Sequence, residues 1–358
     1  MNWKILTTLL SIIFIGITLS ACSGRAGTAT GWASVIADEE NAYLAYNNHV
    51  YAINLTNGIE RWHYPAEPDN NITFFAAPAL TPDNQLIVGG YDNNLYSLDP
   101  TNAGLNWTFE ESQNRYIAGP KVTENGIFSP SADKNLYAVD FNGERLWQPF
   151  ETEQPLWSTP AVGNNCDCIY LPSMDHRVYA IDTSTGGMIW KTQDLGGAIV
   201  GTPEVSDDGV LYVGTFENEM LALDTLNGEI VWRFPTEDWV WAGPTLDGQH
   251  LYFGDLSGTF YALKRSSGEL DWKIQPGGAI VGKPLVTEEG IYFTTEDGSI
   301  VSVSEDGTPR WNQTIEGNLH AGPVQANDLI LVPTSQIQSL VIALDENGVQ
   351  KWVFAQEQ

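Results

Sequence analysis

Short apolar runs, each closed by a turn signal, repeat along the chain from about residue 32 onward. The most regular copy spans Gly201 to Phe234. Pro203 to Val205 is followed by Ser206 to Gly209 (Ser-Asp-Asp-Gly), and Val210 to Val213 by a polar loop around Glu217 and Asn218. Met220 to Leu223 is followed by Asp224 to Gly228, and Ile230 to Phe234 carries Trp232. Runs of about 4–6 residues that are rich in Val, Ile, Leu and Tyr and bounded by Gly, Asn and Asp are strand signals, too short and too punctuated for helices. The unit is predicted to be a four-stranded antiparallel meander.

The unit recurs eight times. Trp62, Trp107, Trp147, Trp190, Trp232, Trp272, Trp311 and Trp352 close the copies at spacings of 39 to 45 residues. Pro78, Pro120, Pro160, Pro203, Pro244, Pro284 and Pro323 stand near the openings of seven copies, and Val35 takes the proline's place in the first. A period near 40 with four strands per repeat predicts an all-β fold, an eight-bladed β-propeller of four-stranded antiparallel blades. The first and last units both contain four strand signals, so the ring is expected to close by packing of blade eight on blade one, without a borrowed strand. The tryptophans fall on the fourth, outermost strands, where a ring burying roughly 150–250 Å² can wedge between neighbouring blades.

Residues 1–21 do not fit this pattern. Lys4 is followed by an almost wholly apolar stretch from Ile5 to Leu19, and Leu19-Ser20-Ala21-Cys22 closes it. This has the build of a secretory signal, and the apolar run is short for a bilayer span. Leu-Ser-Ala-Cys resembles the bacterial lipobox, which implies that Cys22 is lipidated and that residues 22–30 form a flexible tether. Residues 31–358 are then the propeller. The expected location is the bacterial cell envelope: the outer membrane where the cell has one, otherwise the outer face of the cytoplasmic membrane.

The segments Tyr179 to Trp190 (YAIDTSTGGMIW) and Leu221 to Trp232 (LALDTLNGEIVW) resemble the tryptophan-docking repeat of quinoprotein propellers, named for pyrroloquinoline quinone (PQQ). A lipid-anchored, single-domain, eight-bladed member of this length is similar to the accessory lipoproteins of the outer-membrane β-barrel assembly machinery. That resemblance implies a non-enzymatic scaffold whose partner is another envelope protein. The repeat is strong evidence of fold and weak evidence of function.

Charge narrows the partners. Sixteen Lys and Arg against 45 Asp and Glu leave a net charge of −29, which repels nucleic acid and anionic lipid. Membrane contact is therefore expected through the lipid alone. The residual cysteines, Cys166 and Cys168, form a C-x-C pair at the first hairpin of blade four and read as a local disulfide or as two free thiols.

Catalytic constellations are sparse. His49, His63, His176, His250 and His320 are assigned to five different blades and form no ligand pair, and the chain has no nucleophile elbow or phosphate loop. Acids between second and third strands (Asp92, Asp133, Asp175, Glu217, Asp297) share one position with Asn47, Ser257 and Gln338 and suit turn chemistry. The more informative ring stands three residues before the aligned proline and includes Trp32, Phe75, Trp157, Trp241 and His320, followed by small residues in every blade. With Arg115 and Lys283 as the nearby cations, it is expected to line the mouth of the central channel, as a hydrophobic plug or as a docking pocket. No metal site and no cofactor are expected. The alternative is a solute- or PQQ-binding surface protein, or a component related to quinoprotein dehydrogenases, that uses the same mouth.

Overall fold

The structure is a computed structural model that describes residues 34–69, 71–336 and 339–356. The signal segment, Cys22, the tether, Trp32 and Gln338 lie outside the described residues. Within them the chain forms eight sheets, each of four antiparallel strands consecutive in sequence, arranged as the blades of a propeller. Blade five consists of Glu204–Val205, Val210–Thr215, Glu219–Asp224 and Ile230–Pro235, close to the predicted runs.

The two middle strands of a blade are buried on both faces, which explains their continuous apolar runs. In blade five Leu211, Val213, Leu221 and Leu223 pack against Val178 and Ala180 of blade four. The alternate side chains, Tyr212, Met220 and Ala222, pack against Leu251 and Phe253 of blade six. Successive residues of a strand point to opposite faces, so one strand contributes to two inter-blade cores.

The closing tryptophans make the second kind of inter-blade contact. Each indole Nε1 donates to a backbone carbonyl in the turn between third and fourth strands of the following blade. Trp62 reaches Pro100 at 2.9 Å, Trp107 reaches Phe141 at 3.0 Å and Trp147 reaches Thr183 at 3.1 Å. Trp190 bonds Thr225, Trp232 bonds Arg265, Trp272 bonds Glu305 and Trp311 bonds Glu346, all within 3.0 Å. Trp352 closes the circle on Leu55 of blade one at 2.7 Å. Ring closure follows the expected route: blade one supplies its own four strands, and its Val35, Leu44 and Ile53 share a core with Leu331, Leu340 and Ala343 of blade eight.

Two sequence features make room for the indole. The residue paired with it on the third strand is Ala or Ser in seven blades, for example Ala222 opposite Trp232 and Ser97 opposite Trp107, and a register shift follows immediately. The shift re-aims the side chain out of the sheet plane, as β-bulges do. The turn it covers holds a left-handed glycine: a Cβ on Gly268 (φ +71°) would lie 2.7 Å from the Trp232 ring. Blade two is the exception, with Ala103 at φ 63° in the equivalent place.

Some expectations need correction. Trp62 to Trp311 are half-buried, and only Trp352 is fully buried among the docking set. In blade three Trp147 lies ahead of the fourth strand, which shrinks to Phe150–Glu151. Pro149, which has no N–H for the ladder, sits between them. His49 and His63 both belong to blade one, with rings 5.1 Å apart, so the histidines occupy four blades. Cys166 and Cys168 are joined as a disulfide across the first hairpin of blade four.

Two substitutions test the docking geometry in urea denaturation. Trp232→Ala is expected to cost about 3 kcal/mol, the low end for a large aromatic because the ring is half-buried. Ala103→Gly is expected to stabilise by about 1 kcal/mol, since only glycine takes a positive φ without steric penalty. A loss below about 1 kcal/mol in the first, or any loss in the second, contradicts this role.

Candidate functional site

Antiparallel strands place the inter-blade loops and the loops between second and third strands on one face of the ring. On that face the extended backbone entering each first strand alternates. The residue four before the aligned proline is buried between blades: Phe74, Tyr116, Leu156, Ile199, Val240, Ile280 and Leu319 are at most 1% exposed. The next residue points the other way and is half-buried at the axis. Phe75, Trp157, Trp241 and His320, together with Val200 and Val281, line a central cavity of about 670 Å³. Trp32, assigned to the same ring, lies outside the described residues.

Small residues follow because the backbones nearly touch. A Cβ on Gly201 would sit 2.6 Å from the Ala242 carbonyl carbon, and one on Gly282 would sit 2.4 Å from the Gly322 nitrogen. Any larger side chain at these places would force adjacent blades apart, so the channel narrows below the aromatic ring.

The mouth carries two aromatic stacks. Phe216 is stacked on Trp239 (4.6 Å, 9°) and on Trp241 (5.2 Å, 30°). Trp239 is 43% exposed, a large apolar face turned to solvent. Elsewhere on the ring Phe75 stacks on Tyr91 at 3.9 Å, and the Arg115 guanidinium lies 4.8 Å over Tyr91. Arg115 is therefore placed on the back of this stack and is not among the cavity-lining residues. Lys283 does line the cavity, but its Nζ is 2.6 Å from Glu204 Oε2. His320 Nδ1 lies 3.8 Å from Glu296 Oε1.

The acids of the second-to-third-strand turns act locally. Asp133 Oδ2 accepts from the Tyr137 hydroxyl at 2.7 Å and from the Gln113 amide of the preceding inter-blade loop at 2.8 Å. Burial pushes its carboxyl up, yet these hydrogen bonds and those from Asn135 outweigh burial and hold it below the usual range. Asp175 receives Tyr179 and the Glu153 amide in the same way. In blade six the role falls to Asp255, two residues before the aligned Ser257, and it accepts from Tyr261 and the Glu237 amide. Asn47 takes φ 53° itself and so occupies the left-handed position, not the acidic one. Asp133, Asp175 and Asp255 thus each pin the inter-blade loop ahead of their blade.

Sequence reasoning found Phe75, Trp157, Trp241, Lys283 and His320, which the fold brings together at one cavity. It missed Trp239, Phe216, Tyr91 and Glu204. Trp239 is two residues before Trp241, so the signal was a W-x-W pair in an inter-blade loop. Among the described residues no group of three or more His, Cys, Asp or Glu could hold a metal ion.

The family model described as outer membrane protein assembly factor BamB matches residues 46–164, 142–238 and 222–307. The BamB of Shewanella oneidensis is 23% identical over 210 residues, 56% of this chain and 52% of that protein. The match thus spans about half the length of that relative. The crystal structure of BamB from Moraxella catarrhalis superposes with a TM-score of 0.73 at 18% identity, covering 87% of this chain and 92% of that one. The computationally designed Ika8 protein superposes with a TM-score of 0.74 at 13% identity, covering 92% of this chain and 98% of that one. At such identities these superpositions bear on the fold alone.

The purified protein is expected to bind no PQQ, with or without calcium. The stacking surface exists, but Lys283 is already ion-paired and Arg115 caps a tyrosine. Aromatic stacking of on the order of 1 kcal/mol per contact does not offset the desolvation of three carboxylates. Fluorescence titration reads this through Trp157 and Trp241; saturable quenching at low PQQ, lost in Trp157→Ala/Trp241→Ala, would reverse the conclusion.

Proposed function

The chain belongs to the family of the outer membrane protein assembly factor BamB, and from that membership we propose that it is a non-enzymatic scaffold of outer-membrane protein assembly. Its partner in this reading is another protein of the cell envelope, docked on the loop face around the channel mouth. The observation that carries the reading is the Trp239–Phe216–Trp241 stack, in which the exposed Trp239 and the half-buried Trp241 stand on the inter-blade loop that Asp255 pins, and Phe216 on the second-to-third-strand turn of blade five. Exposed, rigid aromatics are the usual anchors of protein interfaces. Glu217 and Asp297 are exposed on the same face, and a net charge of −29 favours a partner segment with basic residues among apolar ones.

The same reading takes residues 1–21 as a signal segment, Cys22 as the lipidated residue, residues 22–30 as a tether and residues 31–358 as the propeller. The lipid holds the molecule at the envelope membrane, and the propeller's acidic surface keeps its body off anionic headgroups. The same charge disfavours nucleic acid as a partner.

Co-purification from native membranes followed by mass spectrometry tests both parts. The wild-type protein is expected to recover an outer-membrane assembly component. Trp239→Ala should lower that recovery about tenfold, as loss of an anchor residue does, while Leu226→Ala on the opposite face leaves it unchanged. Cys22→Ser should abolish fatty-acid labelling and release the protein from the membrane fraction. Equal recovery by Trp239→Ala, or equal labelling of Cys22→Ser, would remove the corresponding claim.

A further inference from the structure

Blade four opens on the one hairpin of the propeller that carries cysteine. Between Ala161–Val162 and Cys168–Pro172, Cys166 and Cys168 are joined through sulfur with only Asp167 between them. The hollow for the bond is made by a glycine: a Cβ on Gly163 would lie 2.4 Å from Cys166 Sγ and 2.7 Å from Cys168 Sγ. The stabilisation a disulfide supplies grows with the loop it closes, and a loop with one intervening residue constrains little of the unfolded chain. The two sulfurs also differ in access. Cys166 is exposed, whereas Cys168 is 2% exposed. Exposed disulfides are the more oxidising and more labile kind.

The hairpin lies between two of the indole links. The Asp167 carbonyl accepts from the Thr183 amide at 2.9 Å and from the Thr183 hydroxyl at 3.0 Å, and the Thr183 carbonyl receives the Trp147 indole. On the other side Cys166 Sγ is 3.7 Å from the Tyr170 hydroxyl, which donates to the Thr225 carbonyl that also receives Trp190. Asn164 Nδ2 donates to Asp207 of blade five at 3.3 Å. The bond holds the two Cα atoms 5.2 Å apart, against about 6.6 Å for residues i and i+2 of an extended strand, so opening it lets the hairpin lengthen.

We propose that Cys166 is a site of covalent modification by thiols on neutral or cationic carriers, and that modification loosens the hairpin between the two links. The carrier's thiolate attacks the accessible Cys166 Sγ. A new S–S bond forms there as the Cys166–Cys168 bond breaks, and the Cys168 thiolate leaves with the electron pair and takes a proton from water. A second carrier thiolate then attacks the adduct's outer sulfur and frees Cys166 as a thiol. Two carrier thiols are oxidised to one disulfide as the protein disulfide is reduced. Attack by the Cys168 thiolate on the adduct is the reverse path. Asp167 within the bridge, Asp207 against the hairpin and a net charge of −29 repel an anionic thiol.

The test uses the full chain carrying Cys22→Ser, which leaves Cys166 and Cys168 as its only cysteines. In cysteamine–cystamine buffers, acid quenching and peptide mass mapping are expected to find the adduct on Cys166 with Cys168 as a free thiol. At low salt 3-mercaptopropionate should react at least tenfold more slowly than cysteamine at equal thiolate concentration. Gly163→Ala, whose methyl group clashes with both sulfurs, should raise the reduced fraction at least tenfold in the same buffer. On reduction, hydrogen exchange of the Thr183 amide should quicken at least tenfold, while the Gly248–Gln249 hairpin of blade six stays unchanged. A disulfide that stays closed throughout, an adduct on Cys168 instead, equal rates for the two thiols, or unchanged exchange at Thr183 after reduction would each overturn the proposal.

Discussion

Every blade donates one indole N–H to a carbonyl of the blade that follows, and the last blade donates to the first. A four-stranded sheet with two apolar faces cannot persist alone, and face-to-face cores such as those on either side of blade five set the spacing of neighbours. The indole fixes their angle. It reaches from the outermost strand to the next turn, is cleared on its own sheet by Ala or Ser in seven blades, and lies on a left-handed glycine everywhere but the turn of blade two, which has Ala103. Eight such links return to the starting blade only if their rotations sum to one full turn, so the lock at the periphery bears on the width of the axis.

At the axis the consequence is a narrow channel with a wide mouth. Backbones approach until Gly201 and Gly282 leave no space for a Cβ, and the residue before each small one is turned upward as a ring. Asp133, Asp175 and Asp255 tie the loops that carry this ring, through pairs of hydrogen bonds from a tyrosine and a loop amide. The mouth is therefore a rigid surface, with aromatics in it and carboxylates around it. Such a surface suits a partner that arrives preformed, since little ordering cost remains on this side. Of the two cations assigned to the mouth, Lys283 is paired with Glu204 and Arg115 lies over Tyr91.

Much of this was legible in the sequence because the repeat is written eight times. The tryptophan period, the proline positions and the alternation of apolar runs and turns were enough to place the blades and the ring of Phe75, Trp157, Trp241 and His320. What depends on several blades at once was not legible. The meeting of Glu204 and Lys283, from blades five and seven, requires knowing which residues face the axis and how wide it is, and no local pattern encodes that. Phe216 was hidden because its partner, Trp239, comes from the next inter-blade loop. Blade three's shortened outer strand had a visible cause in Pro149, but the period of tryptophans outweighed it. Ala103 could have been noticed as the one departure from glycine four residues before a docking tryptophan.

The central claim is that the loop face around the channel mouth, and not the outer edge or the opposite face, receives the partner. A photo-crosslinking amino acid placed at position 239 and, separately, at position 349 distinguishes these in intact cells. Val349 is 56% exposed in a turn between third and fourth strands, on the face away from the mouth. The account predicts a discrete adduct with an outer-membrane assembly protein from position 239 and none from position 349. An adduct from position 349 with none from position 239 would contradict it.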